Sequence, residues 1–185
     1  TLQHNIHEAI RTMGGTYTSS IHLNVVGIPY WLEEDLTLSN GNATFTISPG
    51  VVLKMAGTGT DIKINNGHLS AVGTPESPII LTSLADDSRL GDSNEDGSAT
   101  QPSPGDWGGI WFGSGADSSS LSHVVVNYAG SIDGSAATAG FPLLVYPFTQ
   151  PSMTNITLQH NIHEAIRTPG GTYESSVGLN VVGIP

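Results

Sequence analysis

The chain has 185 residues, carries a formal charge of −11 from 16 acidic and 5 basic residues, and contains no cysteine. This acidic surplus repels phosphate backbones, so nucleic-acid binding is not expected. The lack of cysteine excludes disulfides and thiol catalysis, and no apolar run approaches the roughly 20 residues that a membrane-spanning segment needs.

The first stretch of the chain recurs at its end. Residues 1–29 and 157–185 are offset by 156 positions and are identical at 25 of 29 of them. Because polar residues recur along with apolar ones, the two stretches are duplicated sequence, and the repeating unit is a whole module. We therefore expect 1–29 to be the terminal coil or coils of a preceding tandem repeat. Residues 30–185 are expected to form one complete module, in which 157–185 is equivalent to 1–29.

Helical signals are confined to residues 4–12, where Ile6 and Ile10 are the only strong apolar pair and Gly14 with Gly15 ends the pattern. Short β-branched runs bounded by Gly, Pro, Asn or Ser dominate the rest, and they predict strands. The predicted strands are 44–47, 51–55, 62–64, 69–72, 79–83, 110–112, 123–128 and 156–158.

Two all-β arrangements fit these strands. A sandwich of antiparallel hairpins is favoured by the pairs Asn40 with Gly41 and Asn66 with Gly67, which are typical of two-residue turns. A parallel β-helix is favoured by strands of about three to five residues separated by bends. The β-helix is the preferred interpretation, since near-identical modules suit a fold whose ends stack.

Alternation along the strands predicts which side chains point inward, with an uncertainty of one residue in the choice of face. The predicted core residues are Val52, Ile62, Leu69, Ile80, Ile110 and Val125. The equivalent residues Asn5 and Asn161 are expected to bond the backbone within a turn rather than to bind a ligand.

The strongest chemical signal is an acidic stretch. Asp92, Asn94 and Asp96 alternate as oxygen ligands at positions 1, 3 and 5 of a calcium loop, and Gly97 supplies the sharp turn at position 6. Position 12 is Ser103 instead of a bidentate glutamate, so the stretch is an incomplete EF-hand.

Asp86, Asp87 or Asp106 are candidates to complete the ligand shell. Hard oxygen ligands without His or Cys favour calcium over zinc, and such a site is expected to be structural. The alternative is a solvated acidic loop inserted between two coils.

Several stretches carry a family resemblance: DLTLSNGNATFTISPGVVLKM, GHLSAVGTPESPIILTS, PGDWGGIWF, LSHVVVNYAG and PSMTNITLQHNIHEAI. In this order they resemble the right-handed parallel β-helix domains of large bacterial surface and secreted proteins. The resemblance implies a right-handed β-solenoid with an acidic loop inserted between coils, at an extracellular or cell-surface location. It implies hardly any chemistry, because such domains serve as stalks, adhesins and enzyme scaffolds alike.

The favoured function is a structural module of a tandem-repeat fibre, stalk or adhesin, which stacks head to tail on copies of itself or on adjacent repeats. No recognisable catalytic constellation is present, so we expect no enzyme activity. The alternative is a carbohydrate-binding or carbohydrate-active β-helix that contacts a surface polysaccharide through Trp31, Trp107, Trp111 and Tyr128. For these aromatic side chains, packing on the core is favoured over a sugar-stacking platform. Asp61 and Lys63 are expected to form an exposed ion pair.

Overall fold

A computed structural model of the chain describes residues 8–132 and 140–168 together with the backbone of 179–181. This part of the chain is all-β and contains no helix. Its strands are β1 Ile10–Thr12, β2 Gly15–Tyr17, β3 Ile21–Leu23, β4 Tyr30–Leu32, β5 Leu36–Ile47, β6 Val52–Met55, β7 Asp61–Val72, β8 Ile79–Ser83, β9 Gly109–Gly115, β10 Ser120–Asn127, β11 Leu143–Val145, β12 Ser152–Gln159, β13 Ile166–Arg167 and β14 Leu179–Val181.

The strands form three parallel ladders. Ladder A contains β1, β4, β6, β8 and the second halves of β10 and β12. Ladder B contains β2, the first halves of β5 and β7, β9, β11 and β13. Ladder C contains β3, the second halves of β5 and β7, the first halves of β10 and β12, and β14. The chain visits A, B and C in turn, so each coil lies on the one before it, and the arrangement is compatible with a β-solenoid.

One continuous core fills the space between the ladders, because alternate side chains of every ladder point inward. In ladder B, for example, Leu36, Ile62, Ile110, Leu143 and Ile166 stack in successive coils. Ladders A and C contribute equivalent columns, and the buried residues form a single cluster. Like residues therefore meet like residues along the axis of the stack.

The predicted core is partly right. Ile62, Leu69 and Ile110 belong to the buried cluster, and Val52 is buried outside it. The prediction is wrong for Ile80 and Val125, which point away from the cluster while their immediate neighbours fill it. The cause is a one-residue error in the choice of face, because such an error exchanges the inward-pointing and outward-pointing side chains of the whole strand.

Two local sequence signals, a weak helical candidate and the turn pairs of the alternative sandwich, are not realised in the structure, for a common reason. The described end of the helical candidate is strand β1, because its backbone groups pair with β4. The pairs Asn40 with Gly41 and Asn66 with Gly67 make no hairpins. They lie at the bend where β5 and β7 pass from ladder B to ladder C, with Asn66 paired to Ser39 in a parallel register. Parallel pairing to neighbouring coils overrides the local turn preference.

The two sequence copies lie differently where both are described. Ile10 pairs with Tyr30 in ladder A, whereas its counterpart Ile166 pairs with Leu143 in ladder B. The first copy contributes β1 to ladder A, β2 to ladder B and β3 to ladder C. The second copy contributes the end of β12, β13 and β14 to the same three ladders. Both reach ladder C, where the equivalent residues Leu23 and Leu179 end β3 and begin β14. Most of 169–185 lies outside the described residues, so the equivalence of the whole segments stays a prediction.

Candidate functional site

A long insertion, residues 84–108, separates β8 of ladder A from β9 of ladder B. Its two ends are tied together by the Ser83 hydroxyl, which donates to Asp106 Oδ2 at 2.6 Å. Trp107 is fully buried and donates from Nε1 to the Asn127 carbonyl of the next coil at 2.7 Å. The insertion therefore leaves and rejoins the stack at fixed points, and its acidic part lies outside the core.

Three carboxylates of the insertion converge. Asp87, Asp92 and Asp96 each place an oxygen within 4.8 Å of the other two. The loop folds this way because Asp92 accepts the backbone N–H groups of Glu95 and Gly97, at 2.7 and 2.8 Å. The predicted alternation of ligands along the loop thus brings Asp92 and Asp96 to one place.

Asn94 lies beside this cluster. Its Nδ2 donates to Asp96 Oδ2 at 2.9 Å and to Thr100 Oγ1 at 3.0 Å. Its Oδ1 is buried and accepts no hydrogen bond from the described residues, and the same is true of Asp87 Oδ1. Three converging carboxylates, one of which is Asp87 with its buried Oδ1, fit a hard divalent cation such as calcium, and the amide oxygen of Asn94 is a further candidate ligand.

Asp86 is placed elsewhere. It is buried and accepts hydrogen bonds from Thr82 Oγ1 at 2.6 Å and Ser88 Oγ at 2.5 Å. It lies outside the group of three converging carboxylates. Its role in the described geometry is to fix the start of the insertion on β8.

Lys54 of β6 is a functional side chain that sequence reasoning missed. It is fully buried, and its Nζ donates to the Gly91 carbonyl at 2.6 Å. Burial lowers its pKa, against the opposing charges of Asp86, Asp87 and Asp92. A lysine in the apolar run VVLKM was the available signal, since a charge in a buried strand needs a partner.

The pKa values of two carboxyl groups in this cluster are shifted in opposite directions. Burial and the charge of Asp92 raise the pKa of Asp87 above its ordinary value, because both disfavour its charged form. Hydrogen bonds, first of all from the Thr100 hydroxyl, lower the pKa of Asp96. As the pH rises, Asp96 therefore loses its proton before Asp87 does, and Asp96 is ionised at mildly acidic pH.

A second charged group lies on ladder B. Lys63 Nζ is 2.5 Å from Asp35 Oδ2 and 3.4 Å from Asp61 Oδ2. The prediction of an exposed pair is wrong: Asp61 is fully buried and the Lys63 side chain is only 14% exposed. The cause is the coil above, where Gly108 lies directly against the Asp61 carboxylate. Asp35 lines an open groove of about 680 Å³.

The aromatic residues of the carbohydrate hypothesis are dispersed. Trp31 lies on ladder A and Trp111 on ladder B, where its ring is 5.4 Å from that of Tyr146. Tyr128 stacks on a histidine of the next coil. With Trp107 buried, these residues do not share one platform, and carbohydrate binding stays a prediction that a polysaccharide screen tests.

Asn161 bonds the backbone, as expected of it, but across coils rather than within its own turn. Its Oδ1 accepts the Ala129 N–H at 2.8 Å, and its Nδ2 donates to the Val126 carbonyl at 3.0 Å. Asn5 lies outside the described residues.

No protein-family model, curated protein or solved structure matches this chain. Within the described residues, no helix is long and apolar enough to cross a membrane.

Proposed function

We propose that this chain is a module of an extracellular or cell-surface tandem-repeat fibre, stalk or adhesin of a bacterium, folded as a right-handed parallel β-helix. Its modules stack end to end with copies of themselves or with adjacent repeats. The observation that carries the proposal is that all three ladders run parallel through every described coil. A fold built this way is extended by adding coils along one axis, without a new interface.

The first coil supplies the surface for this stacking. Among the described residues, β1 pairs only with β4, whereas β2 and β3 pair only with β5. Each of these strands thus keeps one edge of backbone N–H and C=O groups for a further strand, and such edges bind other strands readily. The duplicated segment provides the same sequence at successive junctions.

Edge-blocking variants test the stacking. Thr16→Pro removes a backbone donor from edge strand β2 and is expected to reduce concentration-dependent assembly, measured by sedimentation and electron microscopy. Gln101→Pro, in the exposed part of the insertion, is the matched control and leaves assembly unchanged. Compact monomers of the unmodified chain at every concentration contradict stacking between separate chains.

We further propose that calcium binds the insertion as a structural ion. Asp87, Asp92 and Asp96 would hold it, together with Oδ1 of Asn94, and the ion would neutralise their mutual repulsion. The support is the convergence of three carboxylates, together with the buried Oδ1 atoms of Asp87 and Asn94, which accept no hydrogen bond from the described residues. Carboxylate and amide oxygens are the ligands that calcium prefers.

Thermal unfolding tests the calcium proposal. Millimolar calcium is expected to raise the melting temperature over a chelated sample, because an ion that binds only the folded state stabilises it by mass action. Asp92→Asn is expected to abolish the shift, whereas Asp117→Asn, on an exposed turn, retains it. An identical melting curve with calcium and with chelator rules the site out.

A further inference from the structure

The cluster of Asp35, Lys63 and Asp61 has a geometry that goes beyond an ion pair. Lys63 lies on β7 and is one register position beyond the partner of Leu36, so its side chain reaches back to Asp35 in the preceding coil. Asp35 Oδ1 also accepts the backbone N–H of Asp61 at 2.7 Å, which fixes the carboxyl group in orientation. The amine of Lys63 thus contacts the carboxyl groups of both Asp35 and Asp61.

We propose that Lys63 and Asp35 are the reacting partners of an intramolecular amide bond, which forms spontaneously and joins two neighbouring coils, with Asp61 as the proton carrier. Holding two reactants in contact replaces a bimolecular encounter, with effective molarities that reach about 10⁵–10⁸ M in well-oriented cases. This advantage offsets the preference of free amines and acids in water to remain an ion pair.

The step balances without a further reactant. The first proton that Lys63 loses passes through Asp61 to an oxygen of Asp35, which becomes a hydroxyl group and leaves Asp61 ionised. The neutral amine then attacks Cγ of Asp35, so that the Nζ–Cγ bond forms. Asp61 accepts the second proton from the nitrogen and delivers it to the hydroxyl group, so that the Cγ–O bond breaks and the oxygen departs as water. No atom is oxidised or reduced, and the open groove beside Asp35 receives the water.

The position of Asp61 makes it suitable for this exchange. It is fully buried against Gly108, and its Oδ2 lies 3.4 Å from Lys63 Nζ. Burial by itself lowers the pKa of Lys63, but the hydrogen bond and charge of Asp35 and the charge of Asp61 outweigh it and raise the pKa overall. The reactive form, with the proton moved from Lys63 through Asp61 to Asp35, contains the same number of protons as the ion pair. The rate is therefore expected to be flat between mildly acidic and mildly alkaline pH.

Intact-mass spectrometry of the purified full chain tests the proposal. The expected mass, after prolonged incubation at neutral pH, is that of the sequence less one water. Tandem spectra of a digest are expected to show a branched peptide that joins Asp35 to Lys63. A folded wild-type chain that retains its full sequence mass overturns the proposal.

Matched variants separate this bond from other losses of water. Lys63→Arg keeps the cation but is expected to retain the full sequence mass, and Asp61→Asn is expected to slow the reaction strongly. Asp35→Asn loses ammonia in place of water and converges on the mass of the cross-linked wild type. Succinimide formation at Asp96 before Gly97 also releases water, but it survives Lys63→Arg and maps to the insertion. A loss of water that is equal in the wild type and in Lys63→Arg, with no branched peptide in the wild-type digest, therefore contradicts the amide. Circular dichroism verifies that each variant is folded.

Discussion

The stacked coils and the insertion at 84–108 are held together by different forces. In the coils, apolar side chains point inward at alternate positions and the backbone pairs with the coils above and below. In the insertion, side chains of Asp92 and Asp96 bond nearby backbone N–H groups, and one buried lysine lies beneath them. The coils are thus stabilised by burial along the whole axis, whereas the insertion depends on a few polar contacts and on its charge balance.

The largest expected effect comes from breaking the coil core. Phe45 is fully buried and lies between Ile21 and Leu69 in ladder C. Phe45→Ala is expected to lower the free energy of unfolding by about 3–5 kcal/mol, because it removes a large buried side chain and leaves a cavity. Urea denaturation of Phe45→Ala and of the unmodified chain measures this difference in the free energy of unfolding.

The matched variant for the insertion is Leu90→Ala. Leu90 is 43% exposed, so the expected change is within about 0.5 kcal/mol. Equal losses of stability in Phe45→Ala and Leu90→Ala would contradict the proposed difference between the stacked coils and the insertion.

A glycine pair tests how tightly the insertion rejoins the stack. A Cβ at position 108 would lie 1.7 Å from Asp61 Oδ1, whereas a Cβ at position 57 meets no atom within 4 Å. Gly108→Ala is therefore expected to cost roughly 1–3 kcal/mol through overpacking, and Gly57→Ala is expected to be neutral or slightly stabilising. Chemical denaturation of both variants gives the comparison, and equal stabilities would show that the junction at Gly108 is loose.

Lys54→Met tests the charge balance of the insertion. The lysine and a calcium ion are attracted by the same carboxylates, so its removal is expected to strengthen calcium binding roughly tenfold, or ~1.4 kcal/mol. Calorimetric titration measures the affinity, with Arg11→Met as a control for loss of a remote exposed cation. Weaker binding in Lys54→Met would mean that the lysine positions the loop for the ion rather than competing with it.

The smallest effect is a pH dependence. Because the pKa of Asp87 is raised in the folded state, its protonated form favours folding below its unfolded pKa, and this contribution is lost as pH rises through the folded pKa. Calcium needs the ionised form, so affinity is expected to fall as pH decreases through this raised pKa. Titrations at several pH values measure the effect, and Asp87→Asn is expected to remove this step. A profile that is flat over the same range in the unmodified chain contradicts the assignment.

The sequence predicted the positions of the strands better than the contacts that their side chains make. Every predicted strand is present, because short β-branched runs between turn residues are a local signal. The burial of Asp61 was not predictable, since Gly108, which covers it, is distant in sequence and comes close only through the register of β7 and β9. For the same reason, Lys54 was not connected to the acidic loop, which it meets 37 positions later.

The duplicated segment shows the limit of sequence identity. Ile10 and Ile166 are the same residue in the same local sequence, yet they lie on different ladders. Strands of two or three residues, such as β13 and β1, make few contacts of their own, so the neighbouring coil decides where they pair.

The length of a tandem protein tests the central claim most directly. From β4 to the second half of β12, ladder A advances through β4, β6, β8, β10 and β12, which is five coils for one 156-residue repeat. At about 4.8 Å between neighbouring strands, each repeat is expected to add about 24 Å along one axis. Two-, three- and four-repeat proteins measured by small-angle scattering or electron microscopy are expected to form rods of constant width that lengthen by this step. Separate beads, or a step that does not match five coils, would contradict the stacking of parallel coils.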